Sequence, residues 1–216
     1  MQLDLRVYVI TDRSFRGRTH EQVAGAALRG GAPAVQLRDK QATGRELLQW
    51  ARQLRDLTRA AGVLFLVNDR VDVALAVHAD GVHVGQEDVP VADARQLMGP
   101  GRVVGASAGN VEEALQAEQA SADYLGVGPV FPTATKPDAG EAIGVDGLRR
   151  IVQAVRLPGV AIGGITADNA GQAIRAGAVG VAVISAVAAA DEMVAATRQL
   201  REAVDAALRE RGGAWA

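Results

Sequence analysis

The sequence predicts an α/β fold, a single (β/α)8 TIM barrel with eight parallel strands formed by residues 1–216 as one domain, and three observations carry that expectation. Short β-branched runs alternate with longer stretches of helical period, the pattern of repeated βα units around a parallel sheet. The junctions entering the strands resemble one another (GGAPAVQL, AAGVLFLV, HADGVHVG, ASADYLGV, RAGAVGVAV), each closing a helix with glycine or a small residue. The length of 216 residues suits one α/β barrel, a fold that commonly runs to about 200 to 250 residues undivided.

In chain order the strands are expected over 6–11 (RVYVIT), 34–38 (AVQLR), 64–68 (LFLVN), 81–85 (GVHVG), 103–107 (VVGAS), 124–130 (YLGVGPV), 159–163 (GVAIG) and 180–184 (GVAVI). Helical segments lie between them. The second is the clearest: Leu47, Leu48, Ala51, Leu54, Leu57 and Thr58 recur at three and four residues, a single buried stripe with Trp50 packed beside it. A last helix is expected over 191–212, with 213–216 a frayed end. The competing architecture, a doubly wound open sheet, lacks support because no G-x-G-x-x-G turn follows the first strand. Gly126-Val127-Gly128 comes late and runs into Pro129.

Composition narrows the function classes. Apolar residues make up 49% and aromatics only 3%, so the core must be built from aliphatic side chains. Net charge is -2 with both signs interspersed, which leaves no basic face for nucleic acid. The absence of cysteine excludes disulfides, thiol catalysis and thiolate-bound zinc. The start MQLDLRVYVITDR is too charged for a signal peptide, and no run reaches the roughly 18 apolar residues of a membrane span. The expectation is a cytoplasmic protein with small-molecule partners and no nucleic-acid or membrane partner. No single apolar face decides whether it forms a homo-oligomer.

Of 23 basic residues only Lys40 and Lys136 are lysines, and both fall in loops after strands. A compact ammonium there suits a phosphate. In a barrel the active site lies where the strands end, so the polar groups just past each strand should converge on one rim. Asp69 and Asp88 follow neighbouring strands, and together they can hold one hard cation such as Mg²⁺, which keeps its other positions for water and phosphate oxygens. The alternative is that each caps the next helix. Gly163-Gly164 and the strand-eight end Ile184-Ser185 mark the usual monophosphate position of barrels, where bare amides bind an anion; the alternative is a tight βα turn. The loop 131–140, with Pro132, Lys136, Pro137 and Gly140, reads as a flap. His20 and His78 are expected on helix surfaces or ends, while His83 lies within strand four and can face the pocket. No partnered base for Ser107 can be identified in the sequence, so it is expected to hydrogen-bond a ligand rather than attack it.

The motifs QLRDK, NDRVDVALAVHADGVHVGQED, GASAG, DYLGVGPVFPTATKPDAG, AIGGI and GVAVISA, in this order and spacing, resemble those of the thiamine phosphate synthase family. The resemblance implies transfer of the methylpyrimidine group of 4-amino-2-methyl-5-(diphosphooxymethyl)pyrimidine to a thiazole phosphate or its carboxylated form, giving thiamine monophosphate and diphosphate. It implies that Gln36, Leu37, Arg38, Asp39, Lys40, Asn68, Ser107 and Lys136 hold the pyrimidine diphosphate. Of these, Arg38, Lys40, Ser107 and Lys136 are the expected catalytic residues. By the same resemblance Asp69 and Asp88 bind Mg²⁺, and Thr133, Ala134, Thr135, Gly164, Ile184 and Ser185 hold the thiazole phosphate. Two other readings stand beside it: a related thiazole tautomerase, which would have no use for Lys40 and the Asp pair, and a non-catalytic phosphate-sensing barrel.

Overall fold

The computed structural model describes residues 3–133, 135 and 140–212. Eight strands, β1 Val7–Thr11, β2 Ala34–Leu37, β3 Leu64–Asn68, β4 Gly81–Val84, β5 Val103–Ala108, β6 Tyr124–Val127, β7 Gly159–Ile162 and β8 Gly180–Val183, pair in sequence order as a closed parallel barrel. The β1–β8 pairing, with Tyr8 opposite Ala182, closes the ring and rules out the open sheet.

The helices are α1 His20–Arg29, α2 Gly44–Ala61, α3 Val71–Ala76, α4 Val91–Met98, α5 Val111–Gln119, α6 Gly144–Ala154, α7 Ala167–Arg175, α8 Ser185–Ala188 and α9 Met193–Glu210. Several starts are written in the sequence. Thr19 with Gln22, Thr43 with Glu46, and Thr166 with Asn169 form reciprocal capping boxes, and Asn110 accepts from the Glu113 amide. Gly62 closes α2 in the left-handed conformation at φ 66°, which costs glycine little.

Strand alternation divides the core into two layers. Val7, Val9, Val35, Leu37, Phe65, Val67, Leu125 and Val181 point outward and pack under the helices, while Tyr8, Ile10, Ala34, Leu64, Leu66, Tyr124, Val160 and Ala182 fill the barrel. Both layers are buried, and the inner one holds both tyrosines.

Four details differ from the expectations. β6 stops at Val127 rather than at 130, since Pro129 has no N–H to continue the ladder and the chain there leans on β7 through Val130 N–Ile162 O at 2.8 Å. On α2, Leu47, Ala51, Leu54 and Thr58 are buried, but Leu48 is only partly covered and Leu57 is 39% exposed, so the stripe is narrower than its apolar spacing. His20 starts α1 as expected for a helix end, yet it is buried, because Thr11 and Asp39 hold it inward. A short helix that was not expected, α8, follows β8 directly, while α9 falls within the expected 191–212. His78 sits exposed just past α3, and Trp50 packs against His20 and carries the Arg13 guanidinium 4.1 Å above its ring.

Candidate active site at the carboxyl ends of the strands

A cleft of about 560 Å³ opens at the carboxyl ends of the strands. It gathers Gln36, Arg38 and Lys40 from the end of β2, Asn68 and Asp69 from β3, His83 and Asp88 from β4, Ser107 from β5, Thr133 and Thr135 after β6, Gly164 after β7, and Ile184 and Ser185 after β8. Residues scattered over 150 positions of the sequence are thereby brought to one rim.

Two of the family-implied positions do not turn their side chains into it. The period of two along β2 aims Gln36 at the barrel and Leu37 away from it, and Leu37 is buried in the outer layer. Asp39 likewise turns outward. Its Oδ2 accepts from Arg13 Nε at 2.6 Å and lies 3.3 Å from His20 Nε2, while its Oδ1 accepts from the Gln41 amide. Burial works against the Asp39 carboxylate, but these donors outweigh it and hold its pKa below the usual value. Asp39 thus pins the β2 loop from behind. Ala134 and Lys136 lie outside the described residues, as does half of the predicted flap 131–140.

On one side of the cleft the charges are dense. Arg38 donates to Asp12 at 2.6 Å and is only 12% exposed, which fixes its guanidinium at the rim. Lys40 Nζ donates to Asp69 Oδ2. Asp69 lies beyond β3 with φ 60°, a left-handed conformation that Asp tolerates better than most residues, and its amide donates to the His83 carbonyl at 2.8 Å. Its carboxyl meets that of Asp88. Burial and the Asp88 contact push the Asp69 pKa up to about 6 against the pull of Lys40. Burial also opposes the Lys40 ammonium, but Asp69 and Asp88 together keep its pKa above the ordinary lysine value.

The helix-capping alternative for the two aspartates does not hold. α3 begins after Arg70 and α4 after Pro90, each without a side-chain cap, and Asp88 Oδ2 instead accepts from Gly85 N at 2.8 Å. Two carboxyls from adjacent strands face each other in a cleft, an arrangement whose repulsion a divalent cation relieves. Their oxygens form the donor set that Mg²⁺ takes when substrate phosphate completes its shell. No cluster of three or more His, Cys, Asp or Glu exists among the described residues, so a closed all-protein metal cage is not what this cleft offers.

The other side of the cleft is lined by glycines and hydroxyls. Gly163 and Gly164 have φ 91° and 63°, and a Cβ on Gly164 would sit 2.6 Å from the Pro132 carbonyl oxygen. The turn therefore requires glycine. Asn169 braces it by donating to the Gly164 carbonyl at 2.9 Å. Thr135 Oγ1 donates to Ser185 Oγ at 3.1 Å, and Thr133 Oγ1 accepts from the Thr135 amide, so hydroxyls from the β6 and β8 loops meet here.

Sequence reasoning passed over several groups. Gln86, just past β4, lines the cleft, and its Nε2 donates to the Ser107 carbonyl at 2.7 Å. Glu113, on α5, reaches back to accept from Gly109 N at 2.7 Å. His83, by contrast, faces the cleft as its strand position allowed, and its Nε2 lies 3.0 Å from Ser107 Oγ, an imidazole partner for Ser107 that the sequence did not reveal.

A closed eightfold parallel barrel that gathers its polar groups at the strand ends defines an enzyme of the (β/α)8 barrel class. Within that class the chain belongs to the thiamine monophosphate synthase family, a family of transferases whose model matches residues 7–187. It is 60% identical over 203 residues to the thiamine-phosphate synthase of Chloroflexus aurantiacus, covering 94% of each chain. It is 56% identical over 200 residues to that of Archaeoglobus fulgidus, covering 93% of each. Among solved structures it resembles the thiamine phosphate pyrophosphorylase of Pyrococcus furiosus, with a TM-score of 0.88 and 49% identity over 95% of this chain and 98% of that one.

Proposed function

We propose that this cleft joins 4-amino-2-methyl-5-(diphosphooxymethyl)pyrimidine to a thiazole phosphate, releasing diphosphate and forming thiamine monophosphate, by a dissociative route. The observation that carries the reading is the pairing, in one cavity, of the Arg38–Lys40–Asp69–Asp88 rim with the Gly164–Ser185–Thr135 cradle. Two anion sites of different construction suit two phosphate-bearing substrates. Family membership and the names of the relatives support the same reaction.

Asp69 and Asp88 are the residues that would hold Mg²⁺, which when bound supplies divalent charge to the diphosphate oxygens. Arg38, held by Asp12, and Lys40 add fixed positive charge on the same side. The pyrimidine amino group can push electrons toward the exocyclic carbon. The C–O bond then breaks with its electron pair leaving on diphosphate, and a delocalised cation remains. Stabilisation placed where charge develops is commonly the largest catalytic contribution. Gln36, Asn68 and Ser107 orient the heterocycle, and Lys136, outside the described residues, is assigned to the departing diphosphate. The Gly164 amide with Thr133, Thr135 and Ser185 anchors the thiazole phosphate, alongside Ala134 and Ile184. The thiazole nitrogen then attacks the cation at short range, forming the C–N bond. A carboxylated thiazole would lose carbon dioxide in addition.

No helix among the described residues is long and apolar enough to cross a membrane. We place the enzyme in the cytoplasm, in keeping with a chain that contains no cysteine.

The test is to mix both substrates with Mg²⁺ and follow diphosphate and thiamine monophosphate. Equimolar formation of the two is expected. Proton exchange on the thiazole without coupling, or binding without turnover, would replace this reading with the tautomerase or the phosphate-sensing barrel.

A further inference from the structure

A chain of hydrogen bonds crosses the barrel interior between two groups that face the cleft. Gln36 Nε2 donates to Tyr8 Oη; Tyr8 Oη lies 3.1 Å from Tyr124 Oη; Tyr124 Oη lies 2.9 Å from His83 Nδ1; and His83 Nε2 lies 3.0 Å from Ser107 Oγ. Five strands contribute one residue each: β2, β1, β6, β4 and β5. The space is prepared by missing side chains. A Cβ on Gly105 would collide with the Tyr124 ring, and one on Gly126 would stand 3.0 Å from His83 Cε1. The Tyr8 and Tyr124 rings meet edge to face at 6.0 Å.

We propose that Tyr8, Tyr124 and His83 form a one-way hydrogen-bond relay that sets the polarity of the two cleft groups at its ends, making Ser107 a donor and Gln36 an acceptor toward the aminopyrimidine ring. The inference deepens the proposed function and rests on it. Each phenol carries one proton, which burial holds in place by raising both pKa values above the usual tyrosine value. Tyr8, accepting from the Gln36 amide, must spend its proton on Tyr124. Tyr124 must then spend its own on His83 Nδ1, so the imidazole proton sits on Nε2 and goes to Ser107 Oγ. With its oxygen engaged from behind, Ser107 has its hydroxyl proton left for the cleft. Gln36, with an N–H committed inward, has its carbonyl oxygen left. An aminopyrimidine presents an amino donor beside a ring-nitrogen acceptor, the complement of such a pair. Reversal of any one link reverses all of them, and both ends then present the wrong sign. Tyr8, Tyr124 and His83 are positioning residues in this scheme.

The test combines tautomer and affinity. In the full chain labelled with ¹⁵N-histidine, two-bond ¹H–¹⁵N correlations are expected to show His83 as the Nε2–H tautomer, assigned by loss of its signals in His83→Asn. Tyr124→Phe should remove that tautomer preference and weaken the aminopyrimidine diphosphate about tenfold, the cost of about one hydrogen bond. Binding of inorganic diphosphate with Mg²⁺ should stay unchanged. Tyr8→Phe cuts the adjacent link and should do the same, which covers the case in which Tyr124→Phe fails to fold. An Nδ1–H tautomer in the parent chain overturns the relay, and so does an equal loss of both ligands. Failure of the parent chain to make thiamine monophosphate overturns the functional reading and the relay with it. A parent that turns over while folded Tyr variants bind like it overturns the relay alone.

Discussion

The carboxyls of Asp69 and Asp88, carried by the loops after adjacent strands β3 and β4, meet within hydrogen-bonding reach, and Lys40 donates to Asp69 from the loop after β2. Two carboxylates at this separation repel, and either a proton on one of them or positive charge beside them relieves it. The cleft therefore has a built-in demand for cations on the side where the diphosphate is proposed to lie.

Asp69→Asn and Asp88→Asn should each lower Mg²⁺-dependent turnover by about 10² or more, with little change in thermal unfolding, because both groups stand on the rim outside the aliphatic layers. Asparagine is chosen at 69 because it tolerates the positive φ there. Steady-state rates across a Mg²⁺ titration check this; near-parental turnover in both variants would remove the metal assignment.

Lys40→Ala should reduce the single-turnover rate by about 10² to 10³ and weaken inorganic diphosphate, since its ammonium is proposed to face the leaving group. The affinity for the thiazole phosphate should stay the same. A loss confined to the thiazole substrate would put the diphosphate elsewhere.

The cradle gives the converse pattern. Gly164→Ala must push a methyl toward the Pro132 carbonyl oxygen at 2.6 Å and the Phe131 Cβ at 2.8 Å while holding φ at 63°. Ser185→Ala removes the hydroxyl that accepts from Thr135. Both should raise KM for the thiazole phosphate, about tenfold or more for Gly164→Ala if roughly 1.4 kcal/mol of anchoring is lost. Inorganic diphosphate binding should not respond, and parallel binding titrations of the two ligands read the difference.

Acid should destabilise the fold through His20. Burial lowers its pKa below the ordinary imidazole value of 6.5, against the raising influence of Asp39. The folded chain thus prefers neutral imidazole, and the first turn of α1 is a poor place for a cation. Its contribution is fully present above 6.5 and is lost as pH falls from there through the lowered folded value. Urea midpoints from about pH 7.5 down to about pH 5 should decline. His20→Asn should flatten that decline while lowering stability at neutral pH by about 1–3 kcal/mol, the cost of a buried partner removed from Thr11 and Asp39. An unchanged slope would assign the acid sensitivity to other groups.

Local pattern made the eight strands legible, and with them the meeting of Asp69 and Asp88, because consecutive βα units sit side by side in a parallel barrel. The sides taken by Gln36 and Leu37 were also available from the period of two along β2, although a motif treated as a block hides it. Other features depend on closure. That Tyr8 and Tyr124, 116 positions apart, share one layer follows only once β1 has paired with β8. The Arg38–Asp12 and Arg13–Asp39 pairs join loops after the consecutive strands β1 and β2, so the topology brings the loops together without saying which charges pair. Charged side chains choose partners by approach in space, and no periodicity in the chain encodes that choice.

The most direct test of the dissociative account is the single-turnover rate with an aminopyrimidine diphosphate whose 2-methyl group is replaced by trifluoromethyl. Electron withdrawal destabilises a ring cation and scarcely affects direct displacement. The account predicts a fall of more than about a hundredfold, equivalent to ~2.7 kcal/mol of lost cation stabilisation, with substrate affinity largely kept. A rate equal to that of the parent substrate would contradict it.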